Sequence, residues 1–165
     1  MDIDQFRNAM GKFATGVTVI LTEVDGDDVH GMTANAFMSV SLSPKLVTIS
    51  IGEKVHMLSK LKRSGAFTVN ILASNQEELS RIFSGNLKCE TEIEFDWLDG
   101  KPVLPGVLAQ ISCEVVTEHV EGDHTLFFGK VNDINVEEKD PLIFYGGRYC
   151  SLAEKEAVGQ ARRLK

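Results

Sequence analysis

Apolar residues recur at helical spacing near the start of the chain, and the spacing then changes. The segment 4–14 places its larger apolar residues on one face of a helix, and Gly16 follows as a stop signal. From residue 17 apolar and polar residues alternate up to a polar turn at 25–28, and a second alternating run follows. This pattern predicts a helix and then a β-hairpin.

Strand and helix signals alternate in the middle of the chain. Short β-branched runs at 45–51 and 66–72 predict strands. Helices are expected at 54–63 and 74–85, the second with Ser74 as its N-cap and a glutamate three residues later.

The last third of the chain returns to alternation after a polar stretch. Residues 86–101 predict a long surface loop, and the segment from 107 predicts two long strands joined by a turn at 121–123. A final strand is expected at 141–149, and the charged tail from 152 is expected to be helical or mobile.

These elements predict a mainly β fold with helices. Six or seven strands, mostly joined by hairpins, favour a small closed or partly closed antiparallel β-barrel with helices at its edge. At 165 residues we expect one domain covering 1–165. No GxGxxG or GxxxxGK[ST] motif occurs, which argues against a Rossmann fold and a P-loop.

Composition narrows the function classes. A net charge of -7 disfavours nucleic-acid binding. Apolar runs shorter than a membrane span and an N-terminus unlike a signal peptide favour a cytoplasmic location. Three widely separated cysteines and four histidines without metal-ligand spacing predict no metal site.

The segment 31–44, GMTANAFMSVSLSP, contains no charged residue and is rich in small polar ones. A planar heterocycle such as a flavin needs close backbone approach and neutral hydrogen-bonding partners, which Thr33, Asn35, Ser39 and Ser41 would supply. A bend that merely joins two strands explains the same composition, so both interpretations stay open.

One further segment and three further residues are candidates for the functional site. The segment 51–54 ends a strand and opens a helix beside Lys54, which is a typical phosphate seat but also an ordinary turn. His124, in the turn GDHT, is either a pocket residue or a surface histidine. Phe83 fits the core better than a ligand contact, and Tyr149 fits either.

Several segments together resemble one family. FRNAMGKFATGVTVI, GMTANAFMSVSLSPKLVTISIGEK, FTVNIL, LAQISCEV, GDHTLFFGKV and PLIFYGGRY occur in the order found in short-chain flavin reductases, across nearly the whole chain. Within that family the chain is most similar to the reductase components of two-component phenol and 4-hydroxyphenylacetate hydroxylases.

The resemblance implies a flavin-reductase-like split β-barrel of antiparallel Greek-key type that forms a homodimer. It implies NAD(P)H-dependent reduction of free FAD or FMN, with the reduced flavin passed to a separate oxygenase. FAD and NADH are the preferred pair, NADH because the sequence suggests no basic cluster that would bind a 2′-phosphate. Two rival functions remain, an FMN-dependent oxidase of a related barrel and a non-catalytic flavin-binding electron carrier.

The resemblance also assigns roles to residues. His124 would act in catalysis by positioning the nicotinamide or a second flavin, and Ala36 stands where many relatives carry serine. The implied cofactor-binding residues are Thr33, Ala34, Asn35, Ala36, Ser39, Val40, Ser41, Ser50, Ile51, Gly52, Lys54, Phe83, His124 and Tyr149.

Overall fold

The computed structural model describes residues 2–26, 28–90 and 92–153. Most of the tail predicted to be helical or mobile, residues 154–165, lies outside the described residues. The elements are α1 (Ile3–Met10), β1 (Thr15–Gly16), β2 (Thr18–Val24), β3 (Asp28–Ala34), β4 (Phe37–Leu42), β5 (Lys45–Gly52), α2 (His56–Ser64), β6 (Ala66–Ile71), α3 (Glu77–Phe83), β7 (Asp96–Leu98), β8 (Lys101–Val103), β9 (Ala109–Glu121), β10 (His124–Val136), β11 (Ile143–Tyr145) and β12 (Arg148–Cys150).

Seven strands form one antiparallel sheet in the order β3-β2-β6-β9-β10-β5-β4. Its two edge strands, β3 and β4, are joined by Asn35 and Ala36 alone. A flat sheet of this size would be about 29 Å wide, whereas such a link spans at most about 11 Å. The sheet therefore curls until its edge strands come close at this link without pairing. This confirms the predicted partly closed barrel with helices at its edge.

Alternation along the strands fills the barrel interior. Val47, Ile49 and Ile51 of β5 point inward, and α2 adds Met57 and Leu61, both fully buried. The rest of this inner core consists of Ile20, Phe67, Val69, Ile111, Cys113 and Phe127. Burial raises the pKa of the Cys113 thiol to about 12, so this cysteine is an inert core residue.

A second core lies outside the barrel, because β2 is buried on both faces. Val19 and Leu21 point away from Ile20 and pack under α3. Leu79 and Phe83 of α3 pack against this outer core. Its remaining buried members are Val17, Leu72, Leu104, Val107 and Leu142.

Two elements predicted for the later part of the chain are wrong. The single strand expected at 141–149 is a hairpin of β11 and β12, which turns at Gly146 and Gly147 with φ of 57° and 78°. The loop expected at 86–101 contains β7 and the start of β8, which pair only with each other among the described residues. Three-residue strands are too short for alternation to reveal them.

Helix starts also differ from the prediction. Ser74 is not an N-cap, because α3 begins only at Glu77 with Gln76 as its N-cap, and the Ser74 backbone N–H donates to the Asp140 carbonyl (2.8 Å). α2 begins at His56 and α1 ends at Met10, each shorter than expected. Likewise the segment 31–44 is not simply a bend between strands, since its residues 31–34 belong to β3 and 37–42 form the edge strand β4, which leaves a link of two residues.

Candidate functional site

A cleft of about 550 Å³ opens between the end of β3, helix α3 and the β11–β12 hairpin. Three residues of the uncharged segment, Thr33, Ala34 and Asn35, form one wall, and Tyr149 forms part of another. The other lining residues are Val17, Glu77, Ser80, Arg81, Ser84, Asn86, Phe144, Gly147 and Arg148. The structure therefore brings together four of the residues predicted from the sequence.

Hydrogen bonds fix the back of the cleft. The Thr33 hydroxyl donates to the backbone carbonyl of Ser80 (2.7 Å), so its proton is already committed within the protein. The Ser80 hydroxyl in turn bonds to the Tyr149 hydroxyl at 2.8 Å. Towards a ligand, the Thr33 hydroxyl can therefore only accept a hydrogen bond, through the lone pairs of its oxygen.

The Tyr149 ring is held by two further contacts. The Arg81 guanidinium lies over the ring, 5.2 Å from its centroid. Phe144 meets the ring edge-on at 5.3 Å. Arg81 is also paired with Glu77 at 2.7 Å, so much of its charge is balanced, whereas Arg148 at the cleft has no ion pair among the described residues.

A strip of backbone runs from the cleft along the barrel edge. The Ser50 N–H donates to the carbonyl of Ala36 (3.2 Å), which joins the β3–β4 link to β5. Gly52 follows two residues later, about 7 Å along the strand. The predicted residues Asn35, Ala36, Ser50 and Gly52 therefore form one continuous edge.

His124 lies at the far end of this strip. It pairs with Gly52 across the β5–β10 ladder, and a Cβ on Gly52 would lie 3.6 Å from the imidazole Nε2. The imidazole Nδ1 is 2.7 Å from the Asp123 carboxylate, and this hydrogen bond lowers the pKa of Asp123. The half-exposed ring is thus held on one side and open on the other.

A basic depression of about 360 Å³ adjoins the start of α2. Lys54, His56 and Lys62 line it together with Glu53, Val55, Leu58 and Ser59. The N-cap residue Val55 makes no side-chain hydrogen bond to the helix, so the positive end of the helix dipole faces this depression without a polar cap.

Several predicted site residues lie elsewhere. Ser39, Val40 and Ser41 belong to the edge strand β4 and are not cleft residues. Ile51 is fully buried in the inner core, so only its backbone faces the strip. Phe83 packs on β3, where a Cβ on Gly31 would come within 2.4 Å of its ring.

The sequence interpretation missed the residues that α3 and the hairpin contribute. Ser80, Arg81, Phe144 and Arg148 line the cleft, yet none was selected. Ser80 and Arg81 read as ordinary helix-surface residues, and only the fold shows that they face Tyr149. The cleft also contains two arginines that the sequence interpretation did not place near the site, Arg81, which is paired with Glu77, and Arg148.

A family model described as "Flavin reductase like domain" matches residues 10–153. The chain belongs to the flavin reductase-like family. One member, an NADH-dependent flavin reductase from a Rhodococcus species, is 44% identical over 88% of this chain and 84% of its own length. Another, the reductase component of 4-hydroxyphenylacetate 3-monooxygenase from Thermus thermophilus, is 36% identical over 90% of this chain and 96% of its own.

A solved family structure, flavin reductase PheA2 in its native state, superposes with a TM-score of 0.91 at 58% identity. It covers 93% of this chain and all (100%) of its own. This likeness confirms the flavin-reductase-like fold expected from the sequence. The described residues contain no group of three metal-ligating side chains, and none of the described helices is long and apolar enough to cross a membrane.

Proposed function

We propose that this protein reduces FAD or FMN with NADH, preferring FAD, and supplies the reduced flavin to the oxygenase component of an aromatic hydroxylase. The main observation behind this proposal is the cleft of about 550 Å³, which has the uncharged segment on one wall and Tyr149 on another. Its size is within the range of small-molecule sites. The flavin reductase from Rhodococcus and the hydroxylase reductase from Thermus support the activity and the oxygenase partner.

The donor set fits a flavin. Ala34, Asn35 and Ala36 offer neutral side chains and backbone groups, so no fixed charge on them would disturb the reduction potential of the ring. We propose that the strip from Asn35 to Gly52 holds the flavin and that the depression at Lys54 receives its phosphate end. The positive helix terminus and Lys54 there suit an anion.

The protein's contribution to the reaction is binding and orientation. The bound nicotinamide and flavin supply the hydride chemistry themselves. Tyr149, held by Ser80, Arg81 and Phe144, presents a rigid ring edge to the cleft. Holding two reactants in one geometry accounts for much of the rate gain in such reactions.

We propose that His124 positions the nicotinamide or a second flavin. Its Nδ1 is engaged by Asp123, while Nε2 faces the open side above Gly52. A fixed ring with one free nitrogen suits a hydrogen-bonding role, and no side chain needs to act as a nucleophile. Because Arg81 and Arg148 line the cleft, a lack of basic residues cannot be used to argue against binding of the 2′-phosphate of NADPH. The preference for NADH therefore rests on the named relatives.

We also propose a homodimer. Helix α1 has no buried residue, and its apolar side chains Ile3, Phe6 and Met10 are 67%, 51% and 57% exposed. The edge strand β4 exposes Met38 and Leu42 as well. Apolar surface beside an unpaired strand edge is typical of an interface. Light scattering after size-exclusion chromatography tests this, and a monomeric mass at high protein concentration contradicts it.

The activity is tested by mixing purified protein with NADH and free FAD, FMN or no flavin, and following absorbance at 340 nm. We expect flavin-dependent, catalytic NADH loss, fastest with FAD and slower with NADPH. A carrier would show no turnover, and an oxidase would need another reductant. Either outcome contradicts the proposal.

Transfer to an oxygenase needs a second assay. Adding a 4-hydroxyphenylacetate hydroxylase oxygenase and its substrate to the same mixture should yield hydroxylated product without further flavin reductase. Product formation only with chemically reduced FAD contradicts the transfer.

A cytoplasmic location, where NADH is available, and a single domain over 1–165 complete the proposal.

A further inference from the structure

The most buried position of helix α3 carries a hydroxyl. Ser80 is fully buried, and it is the one buried residue of the seven in this helix. A helix that packs on a sheet ordinarily buries an apolar side chain at this point. Burying a hydroxyl there is unfavourable unless it is hydrogen-bonded. The partner of the Ser80 hydroxyl therefore indicates why a serine occupies this position.

Ser80 connects two walls of the cleft. Its side-chain oxygen bonds to the Tyr149 hydroxyl (2.8 Å), and its backbone carbonyl accepts from the Thr33 hydroxyl (2.7 Å). Strand β3, which carries Thr33, and strand β12, which carries Tyr149, therefore share one anchor on α3.

The anchor matters because no strand pairing among the described residues joins β12 to the seven-stranded sheet. Among the described residues β12 pairs only with β11, and β11 pairs onward with β1, in a sheet separate from the seven-stranded one. Among the described residues, the segment that leads into the hairpin is bonded to the residues that follow β6, as at Leu142, whose N–H donates to the Leu72 carbonyl. The place of the Tyr149 hydroxyl relative to β3 is thus set by side-chain contacts, of which the Ser80 bond is the directional one.

We propose that Ser80 is a positioning residue. The flavin proposed along Asn35 to Gly52 leaves the Tyr149 end of the cleft to the second reactant, and Ser80 holds Tyr149 there in the orientation that binds the nicotinamide dinucleotide. This inference rests on the proposed function. Ser80 acts through the Tyr149 hydroxyl, so removing either hydroxyl has the same consequence, and removing both adds nothing.

The test is a double-mutant cycle with Ser80→Ala and Tyr149→Phe. KM is measured for NADH at saturating FAD, and for FAD at saturating NADH. We expect the KM for NADH to rise about 3- to 10-fold in each single variant, the effect of one neutral hydrogen bond. The double variant should match the single ones, and the KM for FAD should change less than twofold.

Two matched controls separate positioning from stability. Thr22→Val removes another buried hydroxyl bond, to the Ala66 carbonyl (2.8 Å), far from the cleft. Tyr145→Phe removes the other tyrosine hydroxyl of the hairpin. Both should leave the KM for NADH unchanged. Equal KM rises in the controls, or additive rises in the double variant, overturn the inference.

The remaining outcomes are also decisive. If Ser80→Ala does not fold, Tyr149→Phe breaks the same bond from the partly exposed side, and an unchanged KM for NADH in that variant overturns the inference. NADH binding without flavin, followed by nicotinamide fluorescence, should weaken in parallel with KM. If the wild-type protein does not oxidise NADH with any flavin, the proposed function fails instead.

Discussion

Gly31→Ala tests how packing on β3 controls the cleft. A Cβ at this position would lie 2.4 and 2.5 Å from two ring carbons of Phe83 and 2.7 Å from Cδ2 of Leu21. Ordinary carbon–carbon contacts are near 3.5 Å, so the Phe83 ring must retreat by about 1 Å. Phe83 ends α3, and Ser80 lies one turn before it.

Two effects should follow. Overpacking of this size costs about 1–3 kcal/mol in the free energy of unfolding, or about 2–4 °C in Tm per kcal/mol for a domain of this length. A matching shift of α3 would stretch the Ser80–Tyr149 bond from 2.8 Å to beyond hydrogen-bonding distance. The KM for NADH should therefore rise together with the loss of stability, which urea unfolding followed by circular dichroism measures.

Gly129→Ala is the matched control. Its Cβ would lie 2.5 Å from Phe67 in the inner core, so it should destabilise the fold similarly without changing the KM for NADH. Phe83→Leu in the Gly31→Ala background should recover part of both losses, because the smaller side chain makes room. Unchanged stability in Gly31→Ala, or equal KM changes in both glycine variants, would refute the reasoning.

Three other variants test separate parts of the structure. Asn70→Leu should destabilise the fold by about 2–4 kcal/mol in urea unfolding, because the fully buried amide accepts from the Leu104 N–H (2.8 Å). The hydrogen bond from Lys101 is the main cause that lowers the pKa of Asp99 below 3.8, so Asp99 stabilises the fold above that pH. The stability difference between wild type and Asp99→Asn should shrink as pH falls through the lowered pKa, and a pH-independent difference between pH 7 and 3 contradicts this. His124→Ala should lower turnover or nicotinamide affinity in the 340 nm assay, and full retention of both would disprove its proposed role.

The fold was predictable wherever strands are long. β5 and β9 show enough alternating or β-branched residues to define a face, and the β9–β10 hairpin follows from its turn residues, whereas β4 was not predicted. β7, β11 and β12 have three residues each, and their pairing depends on contacts that local pattern does not encode. The same reason explains why 141–149 was taken for one strand.

The site was predictable in part, for a related reason. The uncharged segment locates one wall of the cleft, because small neutral residues signal close approach wherever they occur. It extends into β4, however, and Ser39 and Ser41 of that strand are not among the residues that line the cleft. The opposite wall depends on which hydroxyl of α3 points inward, and Ser80 and Ser84 look alike in the sequence although only Ser80 is buried.

The exposure of the cleft's rim bears on how the flavin is used. Asn35, Ser84 and Arg148 are exposed at its edge, whereas Ser80 at its back is fully buried. A net charge of -7 repels anionic dinucleotides at long range, so attraction must come from local groups such as Arg148. The rigid back wall orients the nicotinamide dinucleotide, while the open rim at Asn35, where the proposed flavin strip begins, lets the flavin leave without rearrangement of the barrel. This combination suits a flavin that enters and departs in every turnover, as supply to a separate oxygenase requires.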